Sequence, residues 1–311
     1  MESASKPAAP ESVRPAKSRP RISVRVAVFI FIELVTLWLV GPLLQWTGPL
    51  IDGAVTTFAA AALANYITLR IYERGQLADI GLAFHSAARR NFLFGFGGGF
   101  GAAAIVCLMP VLAGWAKFVP APEQPANWRS FIFVSIVLLF GAVGEEMLFR
   151  GYGFQVVLRR WGAFSTILPM GVVFAYAHSL NPNATPLAMF NTFLWGAIFG
   201  LCFLRSGDLW LPIGLHFGWN WTLPLAGVNL SGFTMSVTGH AMDWSGSTEF
   251  IRTWVGGGGY GVEGGLLTVA VVPLVCWYLW KAPVTVSRPF LLSDAIDDTE
   301  PTTLTSGASP D

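Results

Sequence analysis

Glu145 and Glu146 stand side by side, with Arg150 just beyond, at the end of a segment whose preceding stretch, Phe131 to Phe140, is almost wholly apolar. A charged side chain at the centre of a membrane helix costs roughly 2.5–3.5 kcal/mol on insertion scales, so three ionisable groups in a turn and a half need partners or a task. Helical spacing divides them. Glu146 and Arg150 are i,i+4 and share a face, which suits a local ion pair. Glu145 lies about 100° around the helix from its neighbour and off that pair's axis. It has no local counter-ion, and it is the carboxylate free to do chemistry.

Two further groups lie in the same half of the chain. His178 follows Phe174 by one helical turn, and His216 and Asn220 are i,i+4 on one face of a later segment. Either histidine alone would be read as a side chain bonding a neighbouring helix. Taken together with Glu145, they offer a general base, a proton carrier and an amide donor for a developing oxyanion, placed on three helices.

The elements that carry these residues must be membrane helices. Of 311 residues, 53% are hydrophobic and only 12% charged, and the mean hydropathy is +0.56. A soluble globular chain carries about a quarter charged residues. The net charge of +1 and the absence of a basic stripe argue against a nucleic-acid partner. Cys107, Cys202 and Cys276 each stand alone in a different apolar run, with neither zinc spacing nor a disulfide framework, and read as small buried thiols. The chain is expected to be an all-α polytopic membrane protein with about eight spans, near residues 24–44, 54–71, 91–115, 130–158, 164–180, 186–204, 210–226 and 264–280. Residues 1–23 read as a disordered basic tail, 24–129 as N-terminal helices and 130–226 as the catalytic core. Residues 227–263 read as a Gly-rich extracytoplasmic loop, 264–281 as the last helix and 282–311 as a disordered acidic tail.

Basic residues set the orientation. With the N-terminus in the cytoplasm, only Lys117, Arg129 and Arg252 of the 19 Lys and Arg fall outside, and Arg150 lies within a span. The positive-inside rule asks for that bias, and an even span count returns the C-terminus to the cytoplasm. The loop between the fourth and fifth spans is then cytoplasmic, so water and substrate are expected to enter from that side, near Tyr152 and Phe217. One joint is awkward. A fourth helix running to residue 158 puts Glu145 about 20 Å from its end and a fifth starting at Phe164 puts His178 about 21 Å in, whereas His216 is only about 9 Å from Trp210.

The motifs Glu145-Glu146-x-x-x-Arg150, Phe174-x-x-x-His178 and His216-x-x-x-Asn220, on membrane helices in that order, resemble the CAAX prenyl protease and bacteriocin-processing (CPBP, or Abi) family of intramembrane proteases. The resemblance covers roughly residues 130–223, and no motif position departs from it. It implies hydrolysis of a peptide bond inside the bilayer, and the look of the chain, with no organelle signal, points to the cell membrane. Glu145 would activate water with help from His178, and His216 and Asn220 would stabilise the oxyanion. Glu146 and Arg150 would hold the helix and the electrostatics of the site. The substrate implied is a peptide or protein, of prenylated CAAX or bacteriocin type. A Zn²⁺ held by Glu145, His178 and His216 is one way to activate the water; the other, favoured here, is metal-free. A proton-coupled transporter using the same Glu and His residues is the alternative function.

Other tempting residues take plainer readings. Glu33, alone in the first span, is expected to bond a neighbouring helix. The glycines at 95, 97, 99 and 101 point to close packing of the third span rather than to a phosphate loop.

Overall fold

The structure, a computed structural model, describes residues 20–123, 125–235 and 237–293. The basic-tail expectation for residues 1–19 and the acidic-tail expectation for 294–311 lie outside these. Among the described residues the fold consists of helices α1 (Ile22–Leu44), α2 (Pro49–Thr68), α3 (Ser86–Leu112), α4 (Trp128–Arg150), α5 (Tyr152–Ala177), α6 (Pro186–Ser206), α7 (Trp210–Leu225) and α8 (Leu266–Lys281). Two short strands, β1 (Lys117–Pro120) and β2 (His240–Asp243), pair antiparallel, with Lys117 opposite Asp243. Five segments are long and apolar enough to cross a bilayer, one of them the 50-residue stretch that contains both α4 and α5. The chain is a multi-pass membrane protein. Helices α7 and α8 have 16 residues each, short of the roughly 20 that a full crossing takes.

Local chemistry explains the boundaries. Pro49 and Pro186 open α2 and α6 at positions where the missing N–H costs nothing. Asn127 and Thr185 cap α4 and α6 by accepting from Arg129 N (2.9 Å) and Ala188 N (3.1 Å). Asp208 does the same for α7, accepting from Trp210 N and Leu211 N at 3.0 and 3.2 Å, while Asn91 of α3 donates to its other oxygen. Burial raises the Asp208 carboxyl above its ordinary range, and these donors work against that.

Helix α4 stops at Arg150 rather than continuing to residue 158. The break is held from α2: Asn65 donates to Met147 O (3.0 Å) and accepts from Tyr152 N (2.7 Å), which ties off both sides of Gly151. A Cβ at Gly151 would strike Met147 O and the Asn65 side chain, so the chain can turn there only with glycine. A second break follows inside α5 at Gly162 (φ 80°, ψ 177°). Tyr152, expected near an open mouth, is wholly buried. Its hydroxyl accepts from Arg25 Nε (2.8 Å) and donates to Glu73, which also pairs with Arg25. This cluster clamps the starts of α1 and α5 to the end of α2.

Helix α7 is the centre of the bundle and packs most closely on α3. Gly95 and Gly99 of α3 meet the α7 backbone at Leu211 and Leu215, while Gly214 and Gly218 of α7 meet the α3 backbone at Phe92 and Phe96. Four small residues thus let two backbones touch, as the sequence pattern suggests for α3. Gly101, by contrast, faces open space.

Three expectations need correction. Residues 282–293 are not a loose tail: Arg159 donates to Leu291 O and Ser293 O, and Ser287 N to Ser206 O, which lays this segment across the ends of α5 and α6. Cys276 is exposed on α8, while Cys107 and Cys202 are buried. Glu33 is buried, yet neither of its oxygens has a hydrogen-bond partner among the described residues.

Because a methyl group on Gly99 or Gly218 would overlap a carbonyl oxygen of the facing helix, Gly99→Ala and Gly218→Ala should each destabilise the protein by about 1–3 kcal/mol. Gly101→Ala should be close to neutral. Melting curves in detergent check this, and equal melting of Gly99→Ala and Gly101→Ala would contradict the packing described.

Candidate active site

The adjacent glutamates do separate. Glu146 is fully buried. Its Oε1 accepts from Arg150 Nη1 at 3.2 Å and from His216 Nδ1 at 2.9 Å. Arg150 is equally buried. It donates from Nη2 to Gly196 O (2.7 Å), and its guanidinium lies 5.0 Å from the ring centre of Phe174 and 5.1 Å from that of Phe199. The aromatic faces and the carbonyl take the place of water around the cation.

His216 stacks on Phe199 with ring centres 4.6 Å apart and planes 19° apart. Its Nδ1–H points down to Glu146, so its Nε2 faces the opposite way, 3.9 Å from Glu145 Oε2. His178 closes the end of α5. Its Nδ1 lies 2.8 Å from Phe174 O. A carbonyl can only accept, so that nitrogen carries the hydrogen. The His178 Nε2 therefore faces outward, 3.8 Å from the same Glu145 oxygen. Glu145 Oε2 has no hydrogen-bond partner among the described residues. Two imidazoles, each fixed by its Nδ1–H, aim their other nitrogens at one free carboxylate oxygen.

Glu145, His178, His216 and Asn220 line a single cavity of about 420 Å³. Glu146 and Arg150 lie beneath it and do not reach it. The early stop of α4 removes the mismatch in depth between Glu145 and His216. Glu145 is five residues before the end of α4 and His216 six after the start of α7, about 8 and 9 Å along the two axes.

Access differs from expectation. Besides α4 and α7, which carry Glu145, His216 and Asn220, the lining comes from the C-terminal part of α1, the N-terminal part of α2, the first two thirds of α6, the end of α5 and the segment after α7. The end of α1, the start of α2, the end of α5 and the segment after α7 lie at the face opposite the start of α1. Tyr152 is sealed in the clamp at the other face, and Phe217 packs among Phe92, Phe96 and Trp221.

One wall residue gave no sequence signal. Glu263 sits in a 3-10 turn (Val262–Gly264) between β2 and α8, within the Gly-rich segment, and reaches the cavity from there. Its Oε1 accepts from Trp219 Nε1 (2.7 Å), and its Oε2 accepts from the backbone N and the Oγ of Ser231. Burial raises its carboxyl above the ordinary range, against the effect of these donors. No periodicity marks such a residue, since its place depends on a loop folding over the helix ends.

Glu145, His178 and His216 have the donor types of a catalytic zinc site, with Nε2 as each ring's available ligand atom. Among the described residues, however, no group of three or more His, Cys, Asp or Glu stands in metal-holding geometry.

The buried chain from Arg150 through Glu146 to His216 separates structural from chemical roles. Arg150→Ala leaves the Glu146 charge uncompensated and should cost about 3–5 kcal/mol. Glu145→Ala should melt close to the parent protein, because that carboxylate faces the cavity. A detergent melt in which Glu145→Ala is the less stable of the two would overturn the assignment.

Comparison with known proteins falls on the same residues. Residues 127–222 match the family described as Rce1-like, type II CAAX prenyl endopeptidase. An uncharacterized 24.3 kDa protein of Escherichia coli is 33% identical over 127 residues, covering 37% of this chain and 57% of its own length. The match thus spans little more than half of that relative. Every site residue from Glu145 to Asn220 lies inside the matched segment, so it is the site-bearing core of the chain that is similar to the Rce1-like family.

Proposed function

We propose that this protein is an intramembrane endopeptidase of the CAAX-protease-like type. The observation that carries the reading is the convergence of two oriented imidazoles on the free oxygen of Glu145. A water molecule bound between Glu145 and His178 gives up a proton to Glu145, while His178 Nε2 accepts its second hydrogen bond and holds it in line. The water oxygen attacks the carbonyl carbon, and the carbonyl oxygen becomes an alkoxide that takes hydrogen bonds from the Asn220 amide and from His216 Nε2–H. Glu145 then passes its proton to the departing amine as the C–N bond breaks.

Charge balance supports these roles. Glu145, Glu146 and Arg150 together carry one uncompensated negative charge in a water-poor site. A protonated His216 cancels it, with one N–H on Glu146 and the other aimed at the oxyanion. Such an imidazolium has no lone pair for a metal, which favours the metal-free scheme over zinc. The transporter alternative finds no support in the family matched.

The substrate on this reading is a peptide or protein segment in the bilayer, of CAAX or bacteriocin type, and the enzyme resides in the cell membrane. With the N-terminus cytoplasmic, as the basic residues ask, the cavity faces the extracytoplasmic side.

Purified protein in lipid nanodiscs should cleave quenched, membrane-proximal peptides. Glu145→Gln should lower kcat/KM by about 10²–10⁴, the usual contribution of a general base. Activity should survive EDTA and 1,10-phenanthroline. Equal cleavage by Glu145→Gln would refute the protease reading. One zinc per chain, lost together with activity in His178→Ala, would refute the metal-free scheme.

A further inference from the structure

The cavity contains a second carboxylate that the proposed reaction does not use. Glu145 and Glu263 are the only Asp, Glu, Lys or Arg side chains among its described lining residues. The Arg150 guanidinium beneath the cavity is turned away and spent on Glu146, Gly196 and three aromatic faces.

Glu263 is built into its place. Asn191 of α6 donates to Glu263 O (2.7 Å) and Gly265 O (2.9 Å), which fixes the backbone on both sides of the turn. Trp219, which donates to the carboxylate, is itself wedged against Trp195, with ring centres 4.5 Å apart. Each donor to the carboxylate is neutral: an indole N–H, a backbone N–H and a hydroxyl. They satisfy an ionised carboxylate without cancelling its charge. A carboxylate offers about four acceptor positions, and these three donors leave one on Oε1, the oxygen bonded only to Trp219. The side chain is part-exposed and lines the cavity.

We propose that Glu263 is a specificity determinant, selecting a peptide with a basic side chain, Lys or Arg, beside the scissile bond and disfavouring one that presents an acidic side chain or a free C-terminal carboxylate there. The inference rests on the protease reading for the identity of its ligand as a peptide. A cation in the cavity would take the open position on Oε1 and supply the charge that the three donors lack. An anion beside Glu263 would meet a carboxylate and no Lys or Arg, since the His216 imidazolium is committed to Glu146 and the oxyanion, and like charges brought together at an interface are disfavoured.

Two measurements on the full chain in nanodiscs test this. Cleavage is followed with C-terminally amidated quenched peptides identical except for Lys, Gln or Glu next to the scissile bond, mapped by mass spectrometry. Binding of the same peptides, fluorescently labelled, is followed by anisotropy on Glu145→Gln, which needs no turnover. The Lys peptide should bind at least about tenfold more tightly than the Glu peptide, and Glu263→Gln in the same background should shrink that ratio to about threefold or less. Ser231→Ala, which removes a donor but no charge, should keep the preference and guards against a general loss of the fold. Equal binding of Lys and Glu peptides, or a preference that survives Glu263→Gln, overturns the proposal. Cleavage without charge preference overturns it and leaves the protease standing. Charge-selective binding without cleavage supports the role of Glu263 and removes the protease reading instead.

Discussion

The Glu146 carboxylate, buried in a membrane helix and shared by Arg150 and His216, is the constraint on which the rest of the structure turns. A buried carboxylate is tolerable only with a cation and further donors around it. Arg150 supplies the cation from the next turn of α4, and α6 supports Arg150 through Gly196 and the Phe199 ring. His216 supplies the second donor from α7, and α7 reaches that depth because glycines let it lie directly against α3. Four helices thus converge on one charge. The same bond that satisfies Glu146 turns the His216 ring so that its other nitrogen faces Glu145. Stability and chemistry meet in one hydrogen bond.

The part of this that is local was legible in the sequence. The i,i+4 spacing separated Glu146 from Glu145, and the one-turn spacing placed Phe174 under His178, where its carbonyl fixes the ring. Apolar runs located the helices to within a few residues in most cases. Distant bonds were not legible. That His216 pairs with Glu146 across 70 positions, or that Asn65 ends α4 at Gly151, follows from packing that no local pattern encodes. The misplaced end of α4 produced both the false depth mismatch and the expectation of a mouth beside Tyr152. The Gly-rich segment read as a plain loop because glycine has no periodicity to show, yet its glycines are what let the chain turn Glu263 into the cavity.

The two faces of the bundle do different work. At the face where α1 begins, the Arg25–Glu73–Tyr152 clamp, the Asp208 cap and the segment 282–293 tie helix ends together and close that side. At the other face, helix ends and the segment after α7 leave an opening, roofed by chain that Glu263 and Asn191 hold down. The proposed hydrolysis in lipid needs this asymmetry, because irregular and charged groups at membrane depth must line water or protein.

The protonation of the two imidazoles tests the central claim most directly. The chain has four histidines, so nitrogen NMR of histidine-labelled protein in bilayers can assign His178 and His216 with one His216→Gln control. The account predicts a neutral His178 with its hydrogen on Nδ1 and a doubly protonated His216. A neutral His216 with a bare Nε2, as a metal ligand requires, would contradict it.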